Sequence, residues 1–255
     1  MRLTFLGTGS AFTVGADNFH SNVILEDGNS HRLLIDCGSD VRHSLHQQEL
    51  SHHDITDVYI SHLHSDHVGG LEWLAFKSKF DGNGSQKKPT IHISEQLVDK
   101  LWEHVLSGGL HSLREEVSDL STYFNVNAVG KKNTFTWQSV KFELVQTEHV
   151  YNGKKLVPSF GLFFTINNTH CFFTTDTQFK PEKYKSYYEK ADIIFHDCET
   201  SECESGVHSH YSRLKTLDPA IKAKMWLYHY DNSVLPDAKK DGFLGFVKKG
   251  QSFNF

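Results

Sequence analysis

The 255-residue sequence has few cysteines, few prolines and no long apolar run. Its four cysteines, Cys37, Cys171, Cys198 and Cys203, are widely spaced and form no CxxC pair, which excludes a disulfide-rich scaffold and argues against a zinc finger. No segment approaches the roughly 18 consecutive apolar residues that a membrane helix requires. The first residues also lack the basic start and apolar block of a signal peptide. We therefore expect reduced thiols, no membrane association and a cytoplasmic location.

An excess of basic residues is also missing. The sequence has 26 Lys and Arg against 31 Asp and Glu, a formal net charge of -5. Proteins that bind long nucleic acids are usually strongly basic, so a polynucleotide is not the favoured partner, whereas a small anion still fits. The length and a hydrophobic content of 38% are typical of a globular protein, and we expect residues 1–255 to form a single domain.

Histidine, in contrast, is abundant, with 18 residues. Imidazole is a common metal ligand and the usual proton carrier near neutral pH, so the positions of these residues carry the functional information. Runs typical of β-strands occur up to residue 60, over residues 90–93, between residues 135 and 175 and over residues 192–196, and they alternate with helix-like runs. This order favours an α/β sandwich with the sheets inside and the helices outside.

The helical runs have apolar residues at helical spacing. They cover residues 40–50, 71–80, 94–105, 183–190 and 211–223. We expect Ser107-Gly108-Gly109 to end the helix over residues 94–105. Asp81 to Pro89 is expected to be a turn-rich connection. Met225 to His229 is predicted as the last strand.

The strongest functional signal is His62-Leu63-His64-Ser65-Asp66-His67, directly after an apolar strand predicted over residues 55–60. Four potential ligands lie within six residues. Since alternate residues of a loop project to similar sides, His62 and His64 can bind one cation while Asp66 and His67 turn toward a second. Imidazole and carboxylate suit zinc and similar divalent ions. The competing interpretation is a polar turn that is histidine-rich by chance.

A site for two metal ions needs further ligands, and three residues stand at the ends of later predicted strands. His149 follows the strand over 140–146, Asp176 follows the run from Cys171 to Thr175, and His229 follows Met225 to Tyr228. A single histidine or aspartate at a strand end is more often a turn or surface residue than a metal ligand. Together with the HxHxDH motif they form a set that chance rarely produces.

With these motifs the sequence resembles the metallo-β-lactamase superfamily, and within it the ribonuclease-Z-like phosphodiesterase branch. The similarity runs through LGTGSA, NFHSNVIL, LLIDCG and HLHSDHVGG to the three later ligand positions, and so covers nearly the whole chain. It implies an αβ/βα four-layer sandwich with a dinuclear metal site at one edge of the sheets.

The resemblance also implies which residues bind the two divalent ions. These are His62, His64 and His149 for one ion, Asp66, His67 and His229 for the other, and Asp176 as a bridge between them. Asp36, at the end of the LLID strand, would orient a ligand histidine, with a plain turn cap as the alternative. Zn²⁺ is the expected metal and Mn²⁺ the alternative, because His and Asp donors accept both.

Within the branch, tRNase Z enzymes carry a long tRNA-binding arm between the third and fourth ligand motifs. Here Asp176 follows His149 by only 27 positions, which already contain two predicted strands. The nearest resemblance is to phage-type anti-Pycsar phosphodiesterases and their bacterial relatives, carried by HSHYSRLKTLDPAIKAKMWLYHYD. It implies a homodimer that hydrolyses 3′,5′-cyclic nucleotides, including cyclic CMP and cyclic UMP, to 5′-monophosphates and thereby antagonises antiphage signalling. If the chain is viral, this would occur in the host cytoplasm.

The chemistry requires a nucleophile and an acid. Two cations roughly 3.5–4 Å apart would lower the pKa of a bridging water and direct the resulting hydroxide at phosphorus. The resemblance places the general acid at His208 or His210, and His210 is preferred because residues 211–214 begin a helical pattern. We expect Asp66 to be a catalytic residue as well as a metal ligand.

Two other functions stay open from sequence: a ribonuclease-Z-like RNA 3′-processing endonuclease and a metal-free binding subunit. The missing arm and the acidic charge argue against the first, and the complete set of seven ligand positions argues against the second. For contact with a nucleotide base the candidates are Tyr123, Phe124 and Tyr151, although a core position is the preferred interpretation of each. Residues 107–123 are the candidate segment for contact with a partner subunit.

Overall fold

The short β-rich runs of the sequence form two large sheets in a computed structural model, which describes residues 1–15, 17–81, 88–231 and 234–255. In the first sheet, three strands near the N-terminus are antiparallel and the following ones are parallel. Its strands are β1 (Arg2–Phe5), β2 (Val23–Glu26), β3 (Arg32–Ile35), β4 (Asp57–Ile60), β5 (Thr90–Ser94), β6 (Asn125–Val129) and β16 (Ser252–Asn254), in the spatial order β16-β1-β2-β3-β4-β5-β6.

The second sheet also has seven strands. They are β7 (Thr134–Trp137), β8 (Val140–Thr147), β11 (Ser159–Ile166), β12 (Thr169–Phe173), β13 (Ile193–Asp197), β14 (Met225–Tyr228) and β15 (Gly245–Phe246), in the spatial order β15-β14-β13-β12-β11-β8-β7. A separate small hairpin pairs β9 (Tyr151–Asn152) with β10 (Lys155–Leu156).

Short helices connect the strands. They are α1 (Val41–Gln47), α2 (Ser65–Val68), α3 (Leu71–Lys79), α4 (Glu95–Leu101), α5 (Ser107–Leu110), α6 (Leu120–Tyr123), α7 (Pro181–Lys190), α8 (Tyr211–Leu214) and α9 (Pro219–Lys222). A 3₁₀ turn covers His52–Asp54 and a π-helical segment covers Trp102–Leu106. Among the described residues, no helix has the length and apolar character needed to cross a membrane.

The two sheets face each other through aromatic side chains. The ring centroid of Phe5 in β1 lies 6.0 Å from that of Phe173 in β12 and 5.3 Å from that of Phe195 in β13. The preceding residue, Phe172, packs on the other side of its sheet, 5.9 Å from Tyr188 of α7. Successive residues of a strand project to opposite faces, so the second sheet has one face on the first sheet and the other under α7.

Helices cover the outer face of the first sheet in the same way. Leu71 and Leu74 of α3 and Leu97 and Leu101 of α4 are buried in the core that the sheets share. Strands β3 to β5 are accordingly buried on both faces, as is usual for parallel strands under helices. The predicted α/β class, with two sheets inside and helices outside, is confirmed.

Several element boundaries differ from the sequence-based prediction. Ser107-Gly108-Gly109 does not end the helix that begins at Glu95: the chain continues through the π-helical segment into α5. Leu106 and Leu110 are buried there, and that burial outweighs the roughly 1 kcal/mol by which each glycine disfavours a helix. A Cβ at Gly109 would also collide with the carboxylate of Glu72 in α3.

The helix predicted over residues 211–223 is two short helices, because the Asp218-Pro219 pair starts a new one. The Asp218 carboxylate accepts a hydrogen bond from the backbone N–H of Ala220, and Pro219 occupies the first helical position. Two strands, β15 and β16, follow the strand predicted to be the last. The connection predicted over residues 81–89 lies mostly in 82–87, outside the described residues.

Candidate metal centre

The HxHxDH motif forms a loop and the short helix α2 directly after β4. Two backbone hydrogen bonds tie this segment to the end of β3: Cys37 N–H donates to His67 O over 2.7 Å, and Gly70 N–H donates to Cys37 O over 2.9 Å. Gly38 permits this close approach, because a Cβ at that position would collide with the backbone oxygen of Asp66. The packing of two loops therefore sets the position of the motif.

Three imidazoles converge at one end of this loop. His62 Nε2 lies 3.0 Å from His64 Nδ1, and His149 Nε2 lies 3.1 Å from the same atom. One nitrogen cannot donate a proton to both neighbours. Nitrogens that bind one zinc ion at about 2.0–2.1 Å in a tetrahedral arrangement are separated by about 3.3 Å, close to the spacing here.

A second group contains Asp66, His67 and His229. Asp66 Oδ2 lies 3.1 Å from His67 Nε2 and 3.3 Å from His229 Nε2. All three residues are buried. The motif thus divides between two groups as predicted from its spacing, with His62 and His64 in one and Asp66 and His67 in the other.

Asp176 lies between the two groups. Its Oδ2 atom is 3.2 Å from His67 Nε2, 3.5 Å from His229 Nε2, 3.6 Å from His149 Nε2 and 3.8 Å from His62 Nε2. Asp176 can be counted in both groups. Within each group, the ligating atoms, one from each residue, all lie within 4.8 Å of one another. The structure therefore brings all seven sequence-predicted metal ligands together around one carboxylate.

Neighbouring residues orient these histidines. Asp36 Oδ2 lies 2.7 Å from His67 Nδ1 and accepts its proton, so Nε2 faces the cluster; this is the contact expected of Asp36. Val207 O accepts from His149 Nδ1 over 2.8 Å, with the same result. Such hydrogen bonds fix the ring and the tautomer of metal-binding histidines. Asp36 and His229 also have positive φ values of 61° and 64°, so the chain turns sharply at both strand ends.

Comparisons with known proteins identify the family of this chain. The family model described as "Anti-Pycsar protein Apyc1" matches residues 1–253. A relative of that description from Paenibacillus harenae is 35% identical over 251 residues, covering 97% of each chain. Another, from Bacillus phage 010DV004, is 31% identical over 262 residues, covering 99% of this chain and 98% of the phage protein. The chain belongs to the anti-Pycsar Apyc1 family.

Solved structures with a similar fold support the architecture of this Apyc1-family chain. The metallo-β-lactamase fold protein YhfI from Bacillus subtilis has a TM-score of 0.73 at 16% identity and covers 99% of this chain and 98% of its own. Human tRNase Z, short form, has a TM-score of 0.71 at 18% identity, and the match covers 100% of this chain and 99% of the human chain. A diphosphatase from the PhnP family has a TM-score of 0.73 at 20% identity, and the match covers 100% of this chain and 98% of the diphosphatase chain. The fold is that of the metallo-β-lactamases.

The two candidate general acids of the Apyc1-family chain lie in different surroundings. His208 lies beside the cluster, with ring centroids 4.8 Å from those of both His149 and His229. His210 caps α8 instead: its Nδ1 lies 2.8 Å from Ser212 Oγ and its Nε2 lies 2.9 Å from Ser201 O. Both nitrogens of His210 are thus engaged in the fold, and the geometry does not support the preference for His210 over His208.

Asp197 is a further buried carboxylate at the cluster that sequence reasoning missed. Its Oδ2 accepts hydrogen bonds from Thr177 N–H over 2.9 Å and from His208 Nδ1 over 3.0 Å, and its Oδ1 lies 3.4 Å from His229 Nδ1. The available signal was the same as for Asp176, a carboxylate at the end of an apolar strand, here Ile193–Asp197. Asp197 connects the candidate acid to a candidate ligand.

Electrostatics differ between the two groups of the cluster. Burial lowers the pKa of His149 to about 4 and that of His62 well below its ordinary value, so these rings are neutral and able to accept a cation. Burial acts in the same direction on His67 and His229, but the nearby carboxylates outweigh it and raise the pKa of both rings well above the ordinary value. These rings hold protons that a divalent cation would replace.

Unpaired polar atoms indicate that the cluster fits metal ions. Among the described residues, His67 Nε2 and Asp176 Oδ1 are buried without a properly oriented hydrogen-bond partner. A buried polar atom without a partner costs free energy, and a histidine and carboxylate cluster of this composition is a usual site for divalent ions. The residues present therefore fit divalent cations.

Of the aromatic candidates for base contact, Tyr123 and Phe124 are buried in the core. The Tyr123 hydroxyl donates to Leu110 O. Tyr151 is 44% exposed and its hydroxyl donates to Glu148 Oε2 over 3.1 Å. Only Tyr151 of these three is therefore available to a ligand from solvent.

Proposed function

We propose that this chain is a metal-dependent phosphodiesterase that hydrolyses 3′,5′-cyclic nucleotides, including cyclic CMP and cyclic UMP, to 5′-monophosphates, in antagonism to cyclic-nucleotide antiphage signalling. The observation that carries the proposal is the cluster around Asp176, with five imidazoles and two carboxylates in two groups that share one carboxylate. Membership of the anti-Pycsar Apyc1 family supports the choice of a small cyclic nucleotide as substrate.

The proposed cofactor is a pair of divalent cations, Zn²⁺ with Mn²⁺ as the alternative. The first group would hold one cation and the second group the other, and Asp176 would contact both. When bound, such a pair activates water near neutral pH and offsets the charge of the phosphoryl oxygens.

The chain's own residues would complete the chemistry. A water oxygen attacks phosphorus, the P–O3′ bond breaks, and O3′ takes a proton, which leaves a 5′-monophosphate. His208 would supply that proton: Asp197 Oδ2 lies 3.0 Å from its Nδ1 and accepts from it, so Nε2 would be the atom that faces the substrate. Burial lowers the pKa of His208, but the Asp197 carboxylate outweighs it and raises the pKa above the ordinary value, which favours the protonated, acidic form.

The stretch of chain between the ligands His149 and Asp176 favours the proposal of a small substrate. From His149 to Asp176 it forms the β9-β10 hairpin and the strands β11 and β12, so this stretch contains no clamping arm for tRNA. His64 is exposed whereas the other six ligands are buried, which leaves the cluster accessible from that side. The net charge of -5 disfavours a long polyanion.

A substrate panel tests the proposal. Protein loaded with Zn²⁺ or Mn²⁺ is incubated with 3′,5′-cyclic mononucleotides, cyclic dinucleotides, bis(p-nitrophenyl) phosphate and pre-tRNA. We expect cyclic CMP and cyclic UMP to give 5′-monophosphates, identified by chromatography against both monophosphate standards. Cleavage of pre-tRNA alone would instead indicate an RNA-processing nuclease, and a 3′-monophosphate as the main product would reverse the proposed direction of attack.

The proposal includes a homodimer of single-domain subunits that acts in the cytoplasm. Both the dimer and the location follow from the family resemblance. Light scattering on the purified protein tests the dimer, for which we expect twice the chain mass of 29.1 kDa. A monomer with full activity would show that one subunit contains the complete site.

A further inference from the structure

A second cluster of potential metal ligands lies away from the candidate metal centre. It contains His52 and His53 of the 3₁₀ turn and Asp81 after α3. The turn precedes β4, whereas His62 follows the end of the same strand, so the two clusters lie at opposite ends of β4. Nothing in the proposed hydrolysis uses these three residues.

The three side chains are already close together. One ligating atom of each lies within 4.8 Å of the other two. His53 Nδ1 lies 3.3 Å from Asp81 Oδ2, and the ring centroids of His52 and His53 are 3.9 Å apart. Groups of this kind could hold a metal ion.

An unpaired buried nitrogen provides the second observation. His52 is 91% buried, and its Nε2 atom has no hydrogen-bond partner within the described part of the chain. A cation bound through Nε2 would satisfy this nitrogen, whose burial without a partner otherwise costs free energy.

The turn that carries the histidines is firmly held. Ser51 Oγ accepts from His53 N–H over 3.3 Å, and Asp54 Oδ2 accepts from Ser51 N–H over 2.8 Å, which together form a capping box. Asp54 Oδ1 also accepts from Arg32 over 3.2 Å. Asp54 is therefore occupied, and the ligands available to a cation are the two imidazoles and Asp81.

We propose that His52, His53 and Asp81 form a third divalent-cation site, which links the 3₁₀ turn to the end of α3. Two imidazoles and one carboxylate suit Zn²⁺ and the neighbouring first-row ions, with a fourth position left to water. His53 and Asp81 have 53% and 18% of their side-chain surface exposed, so the cation can enter from solvent.

Metal stoichiometry tests the site independently of catalysis. Zinc-loaded protein freed of excess metal is dialysed against rising Zn²⁺ and analysed for zinc per chain. We expect one additional equivalent in the native protein, its loss in His53→Gln, and its retention in His104→Gln, a control at an exposed histidine elsewhere on the surface. Hydrolysis of cyclic nucleotides should be unchanged in both variants. Asp81→Asn replaces His53→Gln if the latter does not fold.

A spectroscopic readout locates the cation. Trp73 of α3 packs edge-on to His52, with centroids 6.4 Å apart, so Cu²⁺ bound in the cluster should quench its fluorescence. The quenching should disappear in His53→Gln, and in Trp73→Phe it should disappear while the additional equivalent still binds. The proposal would be overturned if the native protein bound no additional equivalent of zinc. It would also be overturned if His53→Gln kept that equivalent, or if His104→Gln lost it as well.

Discussion

At the scale of single residues, Asp197 determines how His208 and His229 are arranged. It lies between the two rings, and its own pKa reflects both: burial favours the protonated carboxyl, but the two imidazoles outweigh it and lower the pKa to about 2. The carboxylate is therefore charged at neutral pH and stabilises a protonated His208. This pairing identifies His208, rather than His210, as the residue to test for proton donation.

We predict that His208→Ala lowers kcat for cyclic CMP by roughly 10²–10⁴-fold, because O3′ leaves slowly unless it is protonated. The loss for bis(p-nitrophenyl) phosphate should be far smaller, since nitrophenolate leaves without a proton. His210→Ala should change neither rate much. Steady-state kinetics with both substrates, on variants with equal zinc content, measure the difference. Equal losses for the two substrates, or a larger effect of His210→Ala, would assign the acid elsewhere.

At the scale of elements, the loop after β3 and the HxHxDH loop support each other. The site depends on backbone contacts between Cys37, Gly38 and the segment from Asp66 to Gly70. Since helix α2 has only four residues, its position comes from these contacts and not from its own stability.

Gly38→Ala tests this dependence. The added Cβ would push against the backbone oxygen of Asp66, and we expect a loss of about 1–3 kcal/mol in the free energy of unfolding, with weaker zinc binding. Gly28→Ala is the matched control, because nothing lies within 4 Å of a Cβ there. Urea unfolding and zinc titration measure both effects. Native-like stability and zinc affinity in Gly38→Ala would show that the loop contact does not position the ligands.

A second contact between elements connects β4 and β5 through Asp57 and His92. His92 Nε2 lies 2.9 Å from Asp57 Oδ1. Burial raises the pKa of Asp57, but hydrogen bonds, of which that from His92 contributes most, together outweigh it and lower the pKa below the ordinary value. A carboxyl with a lowered folded-state pKa stabilises the fold above its unfolded-state pKa and loses that contribution as the pH falls through the folded value.

We therefore predict that Asp57→Asn lowers the free energy of unfolding by about 1–3 kcal/mol at pH 7, as expected for a lost hydrogen bond to a charged group. The difference from the native protein should shrink as the pH falls below about 4. Urea unfolding across this range measures it, and a difference independent of pH would show that the ionised carboxylate is not what stabilises the contact.

The sequence predicted the elements and ligands whose signals are local or periodic. His62, His64, Asp66 and His67 lie within six residues, and His149, Asp176 and His229 each follow an apolar strand, so both patterns were visible in the chain. The choice between His208 and His210 depends on the path of a loop that only tertiary contacts fix. Strand β6 escaped prediction because four of its five residues are exposed, which removes the apolar signal.

At the scale of the whole molecule, the candidate metal centre lies where the two sheets meet. The first sheet contributes the HxHxDH loop after β4, and the second contributes His149, Asp176 and His229 after β8, β12 and β14. Each of the two groups contains residues from both sheets, so neither would form if the sheets shifted relative to each other. The inter-sheet aromatic core thereby maintains the distances on which the proposed function depends.

The metal content of fully active protein tests the proposed two-metal site. The His53→Gln variant is used so that the proposed third site does not contribute, and zinc per chain is measured by elemental analysis alongside the rate of cyclic CMP hydrolysis. We predict that activity rises with zinc content and reaches its maximum at two equivalents. Full activity with one equivalent or none would contradict the central claim that five histidines and two aspartates hold a pair of catalytic cations.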